Sequence, residues 1–535
     1  MVEGEGQPAL VEEGGPRRGL SNPYDWTVAD IDFLARHAAT SPAKVALISG
    51  ERVVDFETLN GRANKAASVF QKLGCLTHDR VAVMSFNSIE GFEISNGLRK
   101  VDLLGVPVNY RLRDSEVAYV LNDSGARVVV AGPDLVDVVD AARGEVVHDP
   151  HFVALGERTP AGWLSYRGLM TGPSDRPLNP SGGGGLGASM IYTSGTTGHP
   201  KGAWRPNGVN IENVLQVISI FELGESDIHL MCGPGYHSAV SFFSALHQVL
   251  GATVVIQPKF EAEDALDQIE RHGVTTTFMA PTLLQRLVDA QVRRPRDVTS
   301  LRALILGAAP CPNALKARAQ AVFGQVLWEF YGATETGINT VLRPEDQLRK
   351  PGSCGTAVPG QEIRLVNADG KEVSDGEPGE FMVRNTWLAE YYQRPDATSK
   401  SLHDGFFSVG DIAYRDTDGY YYICDRQIDM VISGGVNIYP AEIEAVLHAH
   451  PAVMDVAVIG VPDDQWGESV KAVVQLRPGA AATPEELISF TTAKLAGYKK
   501  PQSVDFVEEL PRDAAGKLMK RRIREPYWAG SGRRI

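Results

Sequence analysis

Cysteine is scarce in this chain of 535 residues, which has only five: Cys75, Cys232, Cys311, Cys354 and Cys424. They are odd in number and lie far apart, and no two of them have the C-x-x-C spacing of a zinc or redox site. This pattern argues against a disulfide framework and against a zinc site. We therefore expect a protein of the reducing cytoplasm.

Uninterrupted apolar runs of membrane-spanning length are also missing. The longest apolar stretch, from Ala239 to Val255, is broken by Ser241, Ser244 and His247, which favours a buried helix followed by a strand. The first residues are acidic where a signal peptide would be basic. We expect neither a transmembrane segment nor a signal peptide, and a peripheral membrane contact is left open.

Positive charge is the third deficit, because 52 Lys and Arg residues stand against 66 Asp and Glu residues, a net charge of −14. This balance argues against nucleic acid as the main partner. Any polyanion must then be held by local charge. The remaining composition, 43% hydrophobic and 22% charged, is that of a soluble globular protein, and the length predicts two to four domains.

Helical periodicity alternates with short β-branched runs for several hundred residues, which predicts an α/β fold with mixed or parallel sheets. The buried strands predicted in this part of the chain are Val81–Met84, Val128–Ala131, Met190–Tyr192, Thr253–Ile256, Ala303–Leu306 and Val326–Glu329.

The rhythm changes at Gly355, where short strands separated by Asp-Gly turns predict a small β-rich subdomain. Further on, Pro440 is placed to open a helix of a compact α+β C-terminal unit. Its predicted strands are Val453–Val461, Val470–Leu476 and Val504–Phe506. We predict a disordered segment at 1–20, a large domain at 21–425 and a small mobile domain at 426–535.

The most informative segment, YTSGTTGHPKG, runs from Tyr192 to Gly202. Its hydroxyls, flexible backbone and single cation suit a polyphosphate. It is not a Walker A loop, because Gly202 follows Lys201 where that motif needs the Ser or Thr that holds magnesium. We interpret it as a phosphate-binding segment, the alternative being a solvated linker.

A second motif, YGATETG from Tyr331 to Gly337, follows a predicted strand. It should therefore lie at a carboxyl end, where α/β proteins bind ligands. Tyr331 offers a flat face for a purine, Thr334 a hydroxyl for a phosphate, and Glu335 a hard oxygen for Mg²⁺.

Three further features follow along the chain. Asp411 is a carboxylate suited to ribose hydroxyls, Arg426 comes after a second aspartate, and Gly434 and Gly435 form a glycine turn. Near the C-terminus, Lys517 stands on a turn next to Gly516.

Together, in this order and at these separations, the segments resemble those of the acyl-adenylate-forming superfamily of acyl-CoA synthetases, luciferases and peptide-synthetase adenylation domains. The similarity runs from about residue 25 to the end. It implies a large N-terminal domain that holds ATP and an acid, and a small C-terminal domain that rotates about a hinge between two half-reactions. The family usually has Lys or Asp at the hinge, where this chain has Ile428.

The resemblance also implies roles for individual residues. The terminal phosphates of ATP would be held by Thr193, Ser194, Gly195, Thr196, Thr197, Gly198 and Lys201, and the adenine by Gly307, Ala308, Ala309 and Tyr331. Gly332 and Ala333 would be further cofactor contacts. Thr334 and Glu335 would hold the α-phosphate and Mg²⁺, Asp411 the ribose, and Arg426 would be a further nucleotide contact. Lys517 would be the catalytic lysine, a cation between the attacking carboxylate and the α-phosphate.

For the second half-reaction, the resemblance makes Gly434 and Gly435 one wall of a pantetheine tunnel. Trp466, Tyr498 and Lys500 would contact the CoA nucleotide, unless Trp466 is a surface aromatic and Lys500 a solvated charge. His237 would lie beside the acid and gate or orient its carboxylate, the alternative being a packing histidine.

The function implied is that of an ATP-dependent acyl-CoA ligase, with Mg²⁺ and with CoA as co-substrate. It would convert a fatty or other hydrophobic acid through acyl-AMP to a thioester, releasing AMP and pyrophosphate, within fatty-acid metabolism. One alternative is an acyl-AMP ligase that loads a carrier-protein thiol, and another is a nucleotide-binding regulator without turnover. Assembly into a homodimer is left open.

Overall fold

The computed structural model describes residues 32–171, 188–193, 200–209, 211–308, 311, 313–367, 369–426, 431–438, 440–511 and 520–529. The predicted disordered segment at 1–20 lies outside these residues, as do Ser194 to Gly198, Ala309, Ile428 and Lys517.

Helices and strands alternate in the first third of the chain. They are α1 (Phe33–Thr40), β1 (Val45–Ser49), β2 (Arg52–Asp55), α2 (Phe56–Lys72), β3 (Arg80–Met84), α3 (Ile89–Lys100), β4 (Leu104–Pro107), α4 (Asp114–Ser124), β5 (Val128–Ala131), α5 (Val136–Ala142), β6 (His151–Ala154), β7 (Leu164–Ser165) and α6 (Tyr166–Leu169).

The middle third continues this alternation. It contains β8 (Ser189–Thr193), β9 (Lys201–Arg205), α7 (Ile211–Ile220), β10 (Ile228–Met231), α8 (Ser238–Val249), β11 (Thr253–Ile256), α9 (Ala262–His272), β12 (Thr276–Met279), α10 (Pro281–Arg293), β13 (Ala303–Leu306), α11 (Asn313–Phe323), β14 (Leu327–Ala333), β15 (Gly337–Leu342) and β16 (Thr356–Ala357).

The last third is richer in strands. It contains β17 (Glu362–Val366), β18 (Gly379–Arg384), β19 (Glu390–Tyr391), α12 (Pro395–Ser401), β20 (Leu402–His403), β21 (Phe406–Arg415), β22 (Tyr421–Arg426), β23 (Val431–Ser433), β24 (Val436–Ile438), α13 (Pro440–His448), β25 (Val453–Asp463), β26 (Gly467–Leu476), α14 (Pro484–Thr492), β27 (Ser503–Val507) and α15 (Lys520–Trp528).

Two large mixed sheets form the N-terminal part. A nine-stranded sheet has the order β16-β15-β14-β13-β12-β10-β11-β1-β2, and an eight-stranded sheet has the order β19-β9-β8-β4-β3-β5-β6-β7. Most neighbouring strands in both are parallel. The antiparallel pairs are β16–β15, β15–β14 and β1–β2 in the first sheet and β19–β9 and β9–β8 in the second. The predicted α/β fold class is confirmed.

Two smaller sheets follow. Strands β17, β18, β20, β21 and β22 form a five-stranded antiparallel sheet, and β23 to β27 form a second sheet in which only the β26–β27 pair is parallel. They correspond to the predicted β-rich subdomain and the predicted α+β C-terminal unit. The boundary near residue 425 stays a prediction.

Alternating side chains of the central strands build a core on each face of the nine-stranded sheet. Ala303 and Ile305 pack with Phe243 of α8 in one core, whereas Leu304 and Leu306 belong to the core on the other face, with α9, α10 and α11. Because both of its faces are covered, β13 is a continuous apolar run. Strands β5, β11 and β13 accordingly have the bounds that the sequence predicts.

Helix α9 shows how local signals set the ends of an element. The Glu261 side chain accepts a hydrogen bond from the Asp264 backbone N–H at 2.9 Å, and Gly273 ends the helix at a φ of 62°. Acidic residues in the first turn and basic residues in the last turn complement the helix dipole.

The YGATETG segment differs from its predicted place just beyond a strand. Strand β14 continues through it to Ala333 and pairs antiparallel with β15 from Gly337. A Cβ on Gly332 would lie 1.9 Å from the Gly337 carbonyl oxygen, so this close pairing requires glycine. Thr334 and Glu335 consequently stand on the tight turn between two strands.

None of the helices within the described residues combines the length and the apolar character that a bilayer crossing needs. Cys75, Cys232, Cys311 and Cys354 are buried, and none of these four forms a disulfide.

Candidate active site

The two large sheets meet at the turn after β14. Strands β8 and β9 of the eight-stranded sheet are paired so that Thr193 faces Lys201. Thr193 Oγ1 donates a 2.8 Å hydrogen bond to Oε1 of Glu335, which stands on the turn between β14 and β15 of the nine-stranded sheet. The structure therefore joins the two ends of the phosphate-binding segment to the second predicted motif.

Glu335 is buried, with 7% of its surface exposed. Its Oε1 accepts a second hydrogen bond, 3.1 Å long, from the Tyr391 hydroxyl, and Lys201 Nζ lies 4.8 Å from the centroid of the Tyr391 ring. Burial lowers the pKa of Lys201, and the charge of Glu335 opposes that shift. The Tyr391 side chain thus contacts both the cation and the carboxylate.

Arg205 is a site residue that the sequence prediction missed. Its Nε and Nη2 donate to the Trp387 carbonyl at 3.0 and 2.6 Å, and Nη2 also donates to the Thr334 carbonyl at 3.0 Å. Burial lowers its pKa to about 10, an effect that Glu335 opposes. The available signal was spacing, since Lys201 and Arg205 are four residues apart on one strand and share a face.

The predicted ribose carboxylate, Asp411, is 1% exposed and lies on β21. The Tyr331 hydroxyl donates to its Oδ2 at 2.6 Å, and the Tyr331 ring packs edge-on against Phe381 with centroids 5.0 Å apart. This contact joins the five-stranded antiparallel sheet to β14, so Asp411 is held at a defined place beside the second motif.

The predicted adenine residues Gly307 and Ala308 follow directly after β13. A Cβ on Gly307 would lie 2.9 Å from the Phe330 ring. Ala308 has a φ of 69°, a left-handed conformation that is unusual for alanine and is found in strained segments at binding sites.

His237 precedes α8 at the opposite side of the turn. It packs against Tyr236 with ring centroids 4.4 Å apart. Burial, assisted by the charge of Arg111, lowers its pKa to about 4, so the ring is neutral at pH 7. Ser238 Oγ and Thr334 Oγ1 are 3.2 Å apart, which places the start of α8 against the motif.

Asn87 holds the loop that carries His237, and the sequence prediction missed it as well. Its buried Nδ2 donates to the carbonyls of Gly233 and Gln257 at 2.8 and 3.0 Å, and its Oδ1 accepts from the Gly235 N–H at 2.8 Å. A single side chain thereby fixes three backbone groups. A lone Asn carries no recognisable pattern, so no sequence signal marked it.

The ends of the phosphate-binding segment have their own anchors outside the site. The Tyr192 hydroxyl donates to Asp123 Oδ2 at 2.8 Å, and Arg394 Nη2 donates to Asp123 Oδ1 at 2.8 Å. The Tyr119 hydroxyl donates to the Pro200 carbonyl at 3.0 Å. Tyr119 and Asp123 both belong to α4, so this helix holds both flanks of the segment.

The glycine turn of the C-terminal unit faces the N-terminal part. Gly434 and Gly435 connect β23 and β24 with φ values of 61° and 73°. A Cβ on Gly435 would lie 2.5 Å from Cβ of Ala280, the residue before α10. Gly434 N–H donates to the carbonyl of Trp466 at 2.9 Å, and Trp466 is 41% exposed.

Tyr498 lies at the contact between the two parts of the chain. Its hydroxyl accepts a 3.0 Å hydrogen bond from Asn109 Nδ2, and the Arg111 guanidinium lies 5.8 Å from its ring centroid. The next residue, Lys499, forms a 2.5 Å ion pair with Glu116. Lys500 is half-buried beside them.

One cleft of about 2570 Å³ collects most of these groups. Its lining includes Thr193, Lys201, His237, Ala308, Tyr331, Gly332, Ala333, Thr334, Glu335, Asp411, Gly434, Gly435 and Trp466. Gly307, Tyr498 and Lys500 stand outside that lining. The side chains of Ser194, Thr196, Thr197, Arg426 and Lys517, and the residues Gly195, Gly198 and Ala309, are not among those described.

An α/β domain with a small α+β unit placed over a cleft of this kind defines the class of AMP-forming, nucleotide-binding ligases. The model of the family "AMP-binding enzyme" matches residues 34–393, and the model of its C-terminal domain matches residues 442–517. The chain therefore belongs to the AMP-binding enzyme family, and it is an acid–thiol ligase of the AMP-forming type.

Two relatives illustrate the range of acyl acceptors. The chain is 33% identical over 520 residues to the fatty acid–acyl-carrier-protein ligase ScoC of Streptomyces coeruleorubidus, covering 95% of this chain and 98% of ScoC. It is 34% identical over 498 residues to an indoleacetate–CoA ligase of Aromatoleum aromaticum, covering 92% and 97%. Acyl-CoA and acyl-carrier ligases are thus both among its relatives.

The o-succinylbenzoate CoA synthetase MenE of Bacillus subtilis is similar in two solved structures, each 28% identical to the chain. A double mutant bound to the product analogue OSB-NCoA has a TM-score of 0.81, covering 92% of this chain and 98% of that one. The complex with the acyl-adenylate OSB-AMP has a TM-score of 0.66, covering 92% and 97%.

Proposed function

We propose that the chain activates a hydrophobic carboxylic acid with ATP and transfers the acyl group to CoA. The observation that carries this proposal is the single cleft in which Lys201, Thr334, Glu335 and Asp411 lie opposite the Gly434–Gly435 turn. Groups suited to a nucleotide therefore share one cleft with a glycine turn suited to the pantetheine arm of CoA.

In the first half-reaction, the acid carboxylate attacks the α-phosphate and pyrophosphate leaves. Lys201 and the hydroxyls of the phosphate-binding segment would hold the departing phosphates, and Asp411 would accept hydrogen bonds from the ribose hydroxyls. Lys517 would supply the cation between the two reacting anions, because preorganised charge lowers a barrier of this kind without covalent chemistry.

Mg²⁺ fits Glu335 in its donor chemistry. Both hydrogen bonds to this carboxylate fall on Oε1, and Oε2 has no hydrogen-bond partner among the described residues. A single hard oxygen suits a cation that keeps most of its waters and binds phosphates at the same time. When bound, the ion would supply positive charge to the phosphates.

The side of the cleft next to α8 is apolar, and this supports a hydrophobic acid. Val209, Phe242, Phe330, Ile338 and Trp387 line it, and the rings of Phe242 and Trp387 have centroids 5.5 Å apart. Burying an apolar acyl chain against such a surface contributes about 25 cal/mol for each Å² removed from water. Neutral His237 would orient the carboxylate by hydrogen bonding.

CoA is favoured as acceptor by the arrangement of the small domain. The TM-score is higher to MenE with the CoA-derived product analogue than to MenE with the adenylate, at nearly equal coverage. The present arrangement, with Gly435 against Ala280, is thus more similar to that of the MenE double mutant with OSB-NCoA than to that of the OSB-AMP complex. The alternative acceptor is the thiol of a carrier protein, and the similarity to ScoC supports this alternative.

The test uses purified full-length protein with ATP, Mg²⁺ and acids of increasing chain length, together with aromatic acids. We expect pyrophosphate exchange with hydrophobic acids and, on adding CoA, equal amounts of AMP and acyl-CoA by mass spectrometry. Adenylate that accumulates in the presence of CoA would favour the carrier-protein thiol. Absence of exchange with every acid would refute the proposal in favour of a regulator without turnover.

A further inference from the structure

A largely buried ion pair joins the two parts of the chain outside the cleft. Lys499 Nζ lies 2.5 Å from Glu116 Oε1, and the two side chains are 7% and 10% exposed. Glu116 Oε2 accepts hydrogen bonds from the backbone N–H groups of Arg113 at 2.9 Å and Ala496 at 3.2 Å. The carboxylate thus has partners from both parts.

A second polar contact stands beside this pair. Asn109 donates to the Tyr498 hydroxyl at 3.0 Å, and Arg111 lies over the Tyr498 ring. The contacting positions are 380 to 389 residues apart in sequence. Because they join the two parts of the chain, they depend on the present placement of the small domain, in which Gly435 lies against Ala280.

The pair depends on that orientation in energetic terms as well. A buried charge is costly unless it is paired and hydrogen-bonded, so removing either partner leaves the other unpaired in this arrangement. Rotation of the small domain would expose both groups to water, where an unpaired charge does not carry the cost of burial. Loss of one partner therefore penalises this arrangement selectively.

We propose that Glu116 and Lys499 are positioning residues for thioester formation, because their pairing holds the Gly434–Gly435 turn over the acyl group. Neither residue lines the cleft or touches a reacting atom. The inference rests on the proposed function, in which the present arrangement serves the second half-reaction.

The variants Glu116→Gln and Lys499→Met, and the two combined, test the pair. Each half-reaction is measured by itself: pyrophosphate exchange for adenylation, and single-turnover acyl-CoA formation from preformed acyl-AMP. We expect thioester formation to fall roughly 10- to 100-fold, the range expected for losing a charged hydrogen bond, with adenylation unchanged. The double variant should be no slower than the slower single variant, because the second change removes nothing further.

Two matched controls separate this effect from general damage. Asp114→Asn removes an exposed acid two residues from Glu116 in the same helical turn, and Lys494→Met removes an exposed lysine of the small domain. Both controls should leave the two half-reactions unchanged.

Small-angle X-ray scattering of the ligand-free protein reports the arrangement of the two domains independently of catalytic activity. The wild-type profile should fit the present domain arrangement, and the Glu116→Gln profile should depart from it. Equal loss in both half-reactions, or an unchanged thioester rate together with an unchanged profile, would overturn the inference. Absence of exchange in the wild type would refute the proposed function, and the scattering comparison would still decide on the pair.

Discussion

Replacing Gly435 with Ala should slow thioester formation and spare adenylation. The added Cβ would lie 2.5 Å from Cβ of Ala280, closer than two carbon atoms can approach without displacement. Overpacking of this kind costs about 1–3 kcal/mol, which corresponds to roughly a 5- to 150-fold slower step if it acts only in the present arrangement.

A second cost of the same substitution behaves differently. Gly435 has a φ of 73°, and a left-handed alanine costs about 1–2 kcal/mol. This strain is present whether or not the small domain is placed against Ala280. It should lower the thermal stability of the small domain and leave the ratio of the two half-reactions unaffected.

The assay is single-turnover transfer to CoA from preformed acyl-AMP, with pyrophosphate exchange measured on the same preparation. Adding Ala280→Gly removes the facing Cβ and should restore the thioester rate most of the way, while the stability loss remains. Failure of this rescue, or an equal slowing of both half-reactions, would refute the claim that the Gly435–Ala280 contact belongs to the thioester-forming arrangement.

Three further outcomes are expected. Lys517→Ala should cost adenylation about 3 kcal/mol or more and spare transfer from acyl-AMP, and equal loss in both steps would contradict the assignment. Asp123→Asn weakens the anchor of Tyr192 and Arg394, so the KM for ATP in pyrophosphate exchange should rise roughly fivefold, for about 1 kcal/mol; an unchanged KM would contradict it. Burial lowers the pKa of His247 to about 4, below its unfolded value of 6.5, so the stability of the folded state falls as the pH falls from 6.5 to 4. Urea unfolding should show a loss of about 2 kcal/mol from this group between pH 7 and pH 5, and His247→Asn should reduce that slope.

The parts of the fold that could be predicted are those in which one local signal is sufficient. Strands β5, β11 and β13 are short apolar runs, because each is covered on both faces. Strand β14 was predicted too short, because Gly332 weakens a strand pattern. In the fold that glycine is what permits the close pairing with β15.

The candidate site likewise has a part that could be predicted from the sequence and a part that could not. Thr193 and Glu335 stand in recognisable motifs, and their hydrogen bond joins the two motifs. Tyr391 and Arg205 were missed: Tyr391 belongs to a two-residue strand that is paired with β9, and Arg205 has no motif of its own. The contact between Asn109 and Tyr498 depends on how two distant parts of the chain are placed, which no local pattern encodes.

Helix α4 has one further consequence. Its first turn carries Glu116, under the small domain, and further along the same helix Tyr119 and Asp123 hold the flanks of the phosphate-binding segment. Eleven residues make a stiff rod about 16 Å long. A tilt of this helix would displace its contact with the small domain and its contacts with the phosphate-binding segment together. The helix therefore links the place proposed for pyrophosphate to the place proposed for CoA.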